Sequence, residues 1–518
     1  MNVSETLETA SVPVHAASES IDHQIVIVGA GFSGIGVGIG LRKAGLTDFL
    51  IVEEGEGFGG TWYWNRYPGL GVDIPSYSYQ YSFEQSAEWT RTYAGGAELR
   101  NYANNVATKY DLLGHTRLGT RISAAAYDEG AHVWRLKTAA GDTITCRFVV
   151  DATGVLNQPK MPDIEGIDSF SGTTVHTARW DTTLDLRGKR VGVIGTGASA
   201  IQLIPTIAPE VGNLTVFQRT PIWCMPKFDR KVPEPVRLAL RRLPGVGRAA
   251  RLLSQAYVEL AFVLTIQHHR ELKLAKYFQK RSRKYIQTQV KDPRVAEKLT
   301  PEYGLGCKRP SFHNDYYATF NRENVALETD PIERITKDGI GTADGRHHDL
   351  DVLVLATGFK VFSGNLPKYP VTGRNGLDLE QWWEESRFQS YEGVSVPSFP
   401  NHFFMFGPYS YNAASYFVLI EHQTRHILRA LEYALRHEAT EIEVKAEAND
   451  RYFTEQLRRR GSQIFWQGTC GTANSYYFND HGDVPLRFGT TVEAIWRSKH
   501  FPLHDYRLAR RARTAARS

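Results

Sequence analysis

Cysteine is scarce in this chain: four in 518 residues, at positions 146, 224, 307 and 470. No two of them form a CxxC, which excludes a redox dithiol motif and gives no zinc-ligand spacing, so no metal site is expected. Few, scattered cysteines suit a reducing cytosol, and a cytoplasmic protein is expected. Long hydrophobic runs are missing as well. The stretch around Ala261 to Ile266 is about half of what a bilayer span needs, so no transmembrane segment is expected. The opening MNVSETLETASVPVHAASES has no basic head and no apolar run, which excludes a signal peptide and predicts a disordered tail over 1–21. Nor is charge of one sign in large excess. The net +5 points to no nucleic acid, and the basic RLARRARTAARS reads as part of a solvated tail over 506–518. Oligomeric state is not readable.

What is present begins at residue 25. IVIVGAGFSG runs an apolar strand into Gly29, Gly31 and Gly34, ahead of the helical-looking IGVGIGLRKAG. In such a GxGxxG the first glycine allows the tight turn, the second lets backbone approach a pyrophosphate, and the third lets helix pack on strand. The helix N-terminus offers free N–H groups to phosphate. The next strand, FLIVEE, brings Glu53 to the position where an acid binds ribose hydroxyls. The pattern returns as RVGVIGTGASAIQLIP, with Gly195, Gly197 and Ala200. Here the strand LTVFQRT puts Gln218 and Arg219 where the first unit has its acid. A carboxylate would repel a 2′-phosphate, whereas a guanidinium grips it, so the second unit reads as NADP-binding.

FVVDATGV (148–155) and DVLVLATGF (351–359) are apolar strands that end in ATG on either side of the second unit. Such turns recur where two-dinucleotide flavoproteins pass the chain between nucleotide domains. The alternation in RISAAAYDEGAHVWRLKTAAGDTITCRFVV predicts an antiparallel meander. From about 230 to 300 the Arg-, Lys-, Leu- and Ala-rich text has helical spacing, so a helical insertion is expected, its basic face read as solvated.

Two longer motifs narrow the choice. FSGTTVHTARWD holds Phe170, Gly172, His176, Trp180 and Asp181; GGTWYWNRYPGLGVD holds Gly60, Thr61, Trp62 and Asp73. Both match in full, and on them the chain resembles the Baeyer–Villiger type of class B flavin monooxygenases, from about residue 22 onward. The resemblance implies an α/β fold with two Rossmann-type dinucleotide-binding domains, for FAD and NADP, and a helical insertion in the NADP domain. The boundaries expected are 22–158 for the first part of the FAD domain, 159–184 for a linker, 185–358 for the NADP domain, and 359–505 for the second part of the FAD domain with the substrate pocket.

It also implies roles. FAD would be held by Gly29, Gly31, Phe32, Ser33, Gly34, Glu53, Gly60, Thr61, Trp62, Asp73, Tyr79 and Ile122. NADP would be held by Gly195, Thr196, Gly197, Ala198, Ser199, Ala200, Arg219, Thr220, Lys308 and Arg309. In GLGCKRPSFHNDYYATF the catalytic arginine would be Arg309, paired with Asp73. The implied reaction takes a ketone, dioxygen and NADPH through a flavin peroxide to an ester or lactone. The alternatives are a flavin monooxygenase that oxidises sulfur or nitrogen, and a non-catalytic redox sensor that keeps both nucleotides.

Overall fold

The computed structural model describes residues 21–361 and 367–511. Its first sheet grows from a run of β-branched residues. Ile25, Val26, Ile27 and Val28 are all buried, as a strand covered on both faces requires. That strand, His23–Val28, lies parallel between Phe49–Val52 and Thr143–Asp151. The register pairs Val28 with both Val52 and Asp151, so Gly29, Glu53 and Ala152 emerge together at one edge. Open α/β sheets bind ligands at such carboxyl ends. On the other side Ile122–Asp128, Val133–Thr138 and Thr143–Asp151 form an antiparallel meander. Val371–Thr372 and His402–Phe404 also join this sheet, so the chain returns here after the second unit.

The second sheet has five parallel strands in the order Val325–Glu328, Asn213–Phe217, Arg190–Ile194, Val352–Leu355, Thr173–His176. Ile194 pairs with Phe217 and Leu355, which brings Gly195, Gln218 and Ala356 to a second edge. The fold is thus α/β with two Rossmann-type dinucleotide-binding units. The helical insertion runs from Glu234–Arg242 to Pro293–Lys298.

Within the insertion, Val246–Gln267 forms one helix of 22 residues whose mean hydropathy reaches 1.3; a single such helix does not overturn the expectation of no transmembrane segment. Two expectations need correction. The C-terminal tail does not start at 506: Tyr506–Ala509 pairs antiparallel with Glu441–Val444, and Tyr506 is buried. Only 512–518 of that tail, like 1–20 of the N-terminal one, lie outside the described residues. Finally, Cys307 and Cys470, 163 positions apart, are joined in a disulfide, so the scattered cysteines do not all stand alone. Cys146 and Cys224 are free and buried.

Candidate functional site

A cleft of about 230 Å³ opens at the edge of the first sheet. Gly29, Gly31, Phe32, Ser33, Glu53, Gly60, Thr61, Trp62, Tyr79 and Ile122 all line it. Gly29 holds φ at +110°, and a Cβ there would sit 2.7 Å from the Ala152 carbonyl oxygen. A Cβ on Gly60 would come within 2.8 Å of the Gly31 Cα, so two bare backbones face each other across the slot. Gly31 also caps the helix Phe32–Lys43. The first N–H groups of a helix lack intrahelical acceptors, so a pyrophosphate fits between these backbones.

Glu53 sits at the end of the same edge. Its two carboxylate oxygens accept from the Ala30 and Gly55 N–H groups, each at 2.7 Å, and each oxygen keeps a lone pair for a ribose hydroxyl. Burial pushes its pKa up, and the two N–H bonds oppose the shift. Two of the residues expected to hold FAD do not line the cleft. Gly34 lies under the turn, where a Cβ would collide with the Gly29 carbonyl, and Asp73 faces elsewhere. Arg121, Arg179 and Lys368 line the cleft unannounced by the dinucleotide motifs. Arg179 stacks on Trp64 at 4.3 Å and stands next to Trp180 in the linker motif, the one signal that pointed near it.

At the second edge Arg219 and Thr220 border a basin with Arg294 and Lys298. Gly197 caps the helix Ala198–Ile207, whose Ala200 is fully buried, and Thr196 donates to the Thr220 carbonyl at 2.7 Å. Burial, then the charge of Arg219, pushes Lys308 down to about 8. Among the described residues neither cation has a carboxylate partner, so the pair fits a dianionic phosphate. Gln218 donates to the Lys298 carbonyl at 2.7 Å, which removes the acid of the first unit from this position.

Between the edges, Arg309 Nη2 lies 3.6 Å from Asp73 Oδ2. Asp73 is buried, whereas the Arg309 side chain is 43% exposed. Burial alone would lower the pKa of Arg309, but Tyr476, Asp73, Tyr477 and Tyr411 outweigh it and hold the guanidinium above its ordinary value. The charge of Arg309 also reaches Tyr79, whose hydroxyl accepts from Trp62 Nε1 at 3.3 Å in the first cleft. Tyr411, Tyr476 and Tyr477 come from the 359–505 segment expected to hold the substrate pocket. Lys227, which no motif marks, is held against burial by Asp73 and Asp229.

The loop that carries Asp73 is clamped to the second unit. Tyr67 donates to Gln202 Oε1 at 2.9 Å, and Gln202 Nε2 donates to the Gly71 carbonyl at 2.8 Å. Gln202 sits on the helix Ala198–Ile207 and was not foreseen. In the linker, His176 Nδ1 accepts from the Ala178 N–H at 3.0 Å while Nε2 lies 3.3 Å from Thr357 Oγ1. His176 thereby ties the linker to the second ATG turn. Trp180 is buried in the core of the second unit, and Phe170 packs beside Ile335 and Leu350. Asp181 accepts from the Thr183 N–H at 2.8 Å in an exposed turn. Neither cleft is lined by Phe170, Gly172, His176, Trp180 or Asp181. The disulfide adds a second tether: Cys307 directly precedes Lys308 and Arg309, and Cys470 belongs to the short helix Gly468–Thr472.

Residues 26–232 match the family model described as pyridine nucleotide-disulphide oxidoreductase. The chain is 37% identical over 484 residues to a Baeyer–Villiger monooxygenase of Pseudomonas aeruginosa, covering 92% of this chain and 89% of the relative. It superposes on a solved structure of OTEMO in complex with FAD and NADP with a TM-score of 0.84 at 31% identity, covering 95% of this chain and 100% of that one. Steroid monooxygenase bound to NADP gives a TM-score of 0.84 at 32% identity, covering 94% and 99%.

Proposed function

This chain belongs to the Baeyer–Villiger monooxygenases, and from that premise and the site we infer that it uses FAD, NADPH and dioxygen to convert ketones to esters or lactones. Bound FAD supplies the redox chemistry, taking reducing equivalents from NADPH and delivering one oxygen atom to the substrate. The residues do the rest. Gly31, Gly60 and the capped helix behind them hold the pyrophosphate, Glu53 takes the ribose, and Arg219 with Lys308 selects the 2′-phosphate. Arg309 serves as a fixed positive charge that stabilises negative charge building on the ketone oxygen. A preorganised donor of this kind is worth about 3 kcal/mol in the rate. Asp73 and the Gln202 clamp position it. Trp62 and Tyr79, which line the cleft, keep water from the reacting atoms.

The single observation that carries the reading is the permanently charged Arg309 beside buried Asp73, between the two nucleotide edges. Oxidation of a sulfide or amine develops no such carbonyl anion and gains nothing from it. A cytoplasmic setting, with ready NADPH, accords with the cofactor; thiol buffers there would hold Cys307 and Cys470 reduced. The test is product analysis with NADPH, oxygen and a panel of cyclic, linear and aryl ketones plus a thioether. Esters or lactones that vanish in Arg309→Ala while NADPH oxidation persists are the expected result. Sulfoxide as the sole product, or ester formation that survives the substitution, would refute it.

A further inference from the structure

The helix Val246–Gln267 carries apolar residues on its outer face as well as its inner one. Its outward residues are Ala249, Leu252, Leu253, Ala256, Tyr257 and Leu260, spaced by three and four so that they form one stripe. Leu252, Leu253 and Leu260 are 70%, 74% and 61% exposed. The inward face buries Val258 and Val263 and adds polar contacts. Arg251 donates to the Gln80 carbonyl at 2.5 Å and lies 3.7 Å from Glu421. Ser254 hydrogen-bonds Ser78, and Glu259 accepts from the Thr491 N–H at 3.1 Å. A surface helix ordinarily turns its apolar residues to the core and leaves a polar face outside, so the exposed leucine stripe is the unusual feature. These inward bonds fix the helix along its length against the protein, so it lies on the surface and does not span.

The surroundings are basic. Residues 230–290 hold 14 Lys and Arg against 3 Asp and Glu, whereas the whole chain nets +5, so the rest of the molecule is net acidic. The exposed Arg242, Arg248, Lys273, Lys280 and Lys284 have no ion-pair partner among the described residues. Leu243, between this helix and the one before it, is exposed as well.

We propose that this face docks on an anionic phospholipid bilayer, with the leucine stripe in the acyl boundary and the cations on the headgroups. An apolar stripe rimmed by Lys and Arg is the arrangement that lies in such an interface. The cytoplasmic leaflet carries the matching negative charge. A second copy of the chain fits poorly, since it would set two strongly cationic faces against each other. The inner side of the same helix packs on Ser78 and Gln80, which flank Tyr79 of the flavin cleft, and Gln267 donates to the Asn412 carbonyl next to Tyr411. A membrane-dissolved apolar ketone would thus meet the enzyme where the helix covers the site. That last consequence rests on the ketone reading; the docking does not.

The test is co-sedimentation of the FAD-loaded enzyme with vesicles of phosphatidylcholine alone and of phosphatidylcholine mixed with phosphatidylglycerol. The wild type is expected to sediment with the anionic vesicles only, and less so at high salt. Arg242→Gln with Arg248→Gln should weaken binding about fivefold for each cation removed. Leu252→Gln with Leu253→Gln should weaken it roughly tenfold for each leucine. Unchanged ketone-free NADPH oxidation in buffer shows that the variants fold. Absence of binding, equal binding to neutral vesicles, or binding indifferent to the leucine pair overturns the proposal. So does a dimer that the leucine pair dissolves while no vesicle is bound. None of these outcomes bears on the ester products, which are read separately.

Discussion

Lys308 links the geometry of the second cleft to a pH effect that can be measured on binding alone. Burial and Arg219 bring its pKa down to about 8 in the free protein. The 2′-phosphate of NADP⁺ is a dianion above about pH 6, so across the alkaline range only the lysine changes charge. Below its pKa Lys308 is a cation and grips the phosphate. As pH rises through about 8 the free protein loses that cation, and binding must first restore the proton. The cost is about tenfold in Kd per pH unit. It stops growing once the contact is gone, and a hydrogen bond to a charged group is worth about 1.5–3 kcal/mol, or roughly 10- to 100-fold. The Kd for NADP⁺ should therefore be flat near pH 7, climb from about pH 8, and level off one to two units higher. NAD⁺ lacks the phosphate, and its Kd should not change over this window. Lys308→Gln should bind NADP⁺ at the weak plateau at every pH, and Arg219→Gln should move the break upward, because the charge that depresses Lys308 is gone. Titration of the FAD-loaded enzyme with both nucleotides checks this. A flat wild-type profile, or a break that survives in Lys308→Gln, would show that Lys308 does not hold the phosphate.

Three further outcomes are expected. Asp73→Asn removes the charge 3.6 Å from Arg309 and lets the guanidinium drift; a misplacement of about 1 Å can cost ~100-fold. Ester formation should drop by about that factor while ketone-free NADPH oxidation stays near wild type, a split that mere destabilisation would not produce. Glu392→Gln leaves Arg487, buried with it at 2.9 Å, without its counter-ion; urea unfolding should show a loss of about 3–5 kcal/mol. The Cys307–Cys470 bond closes a loop with a separation of 163 residues, so its removal by Cys470→Ser should cost up to about 5 kcal/mol under oxidising conditions. The same variant should match the wild type once reductant is present. A wild type whose stability ignores reductant would mean that the bond does not form.

Much of the site was legible in the chain because it is local. In a GxGxxG turn the strand, the glycines and the helix cap are neighbours in sequence, and the register Val28–Val52 carries Glu53 to the same edge as Gly29. Arg219 follows for the same reason on the second sheet. The meander over 122–151 and the helical insertion were readable from periodicity alone. Asp73 and Arg309 were paired only through the resemblance, and nothing in their spacing requires them to meet.

Other features belong to the tertiary structure, because they join positions that no short-range rule connects. Gln202 clamps the Asp73 loop across 131 residues. Arg179 enters the flavin cleft, and Cys307 meets Cys470. Sequence distance excluded none of these contacts and selected none of them. The insertion shows the same limit most clearly. Helical periodicity fixes which residues of Val246–Gln267 share a face, since 3.6 residues per turn follows from backbone geometry. Which face turns outward depends on what the neighbouring chain offers. Here it offers the polar partners Gln80, Ser78, Glu421 and Thr491 together with apolar contacts that bury Val258 and Val263, so the face with Arg251, Ser254 and Val258 turned in and the leucines were left outside.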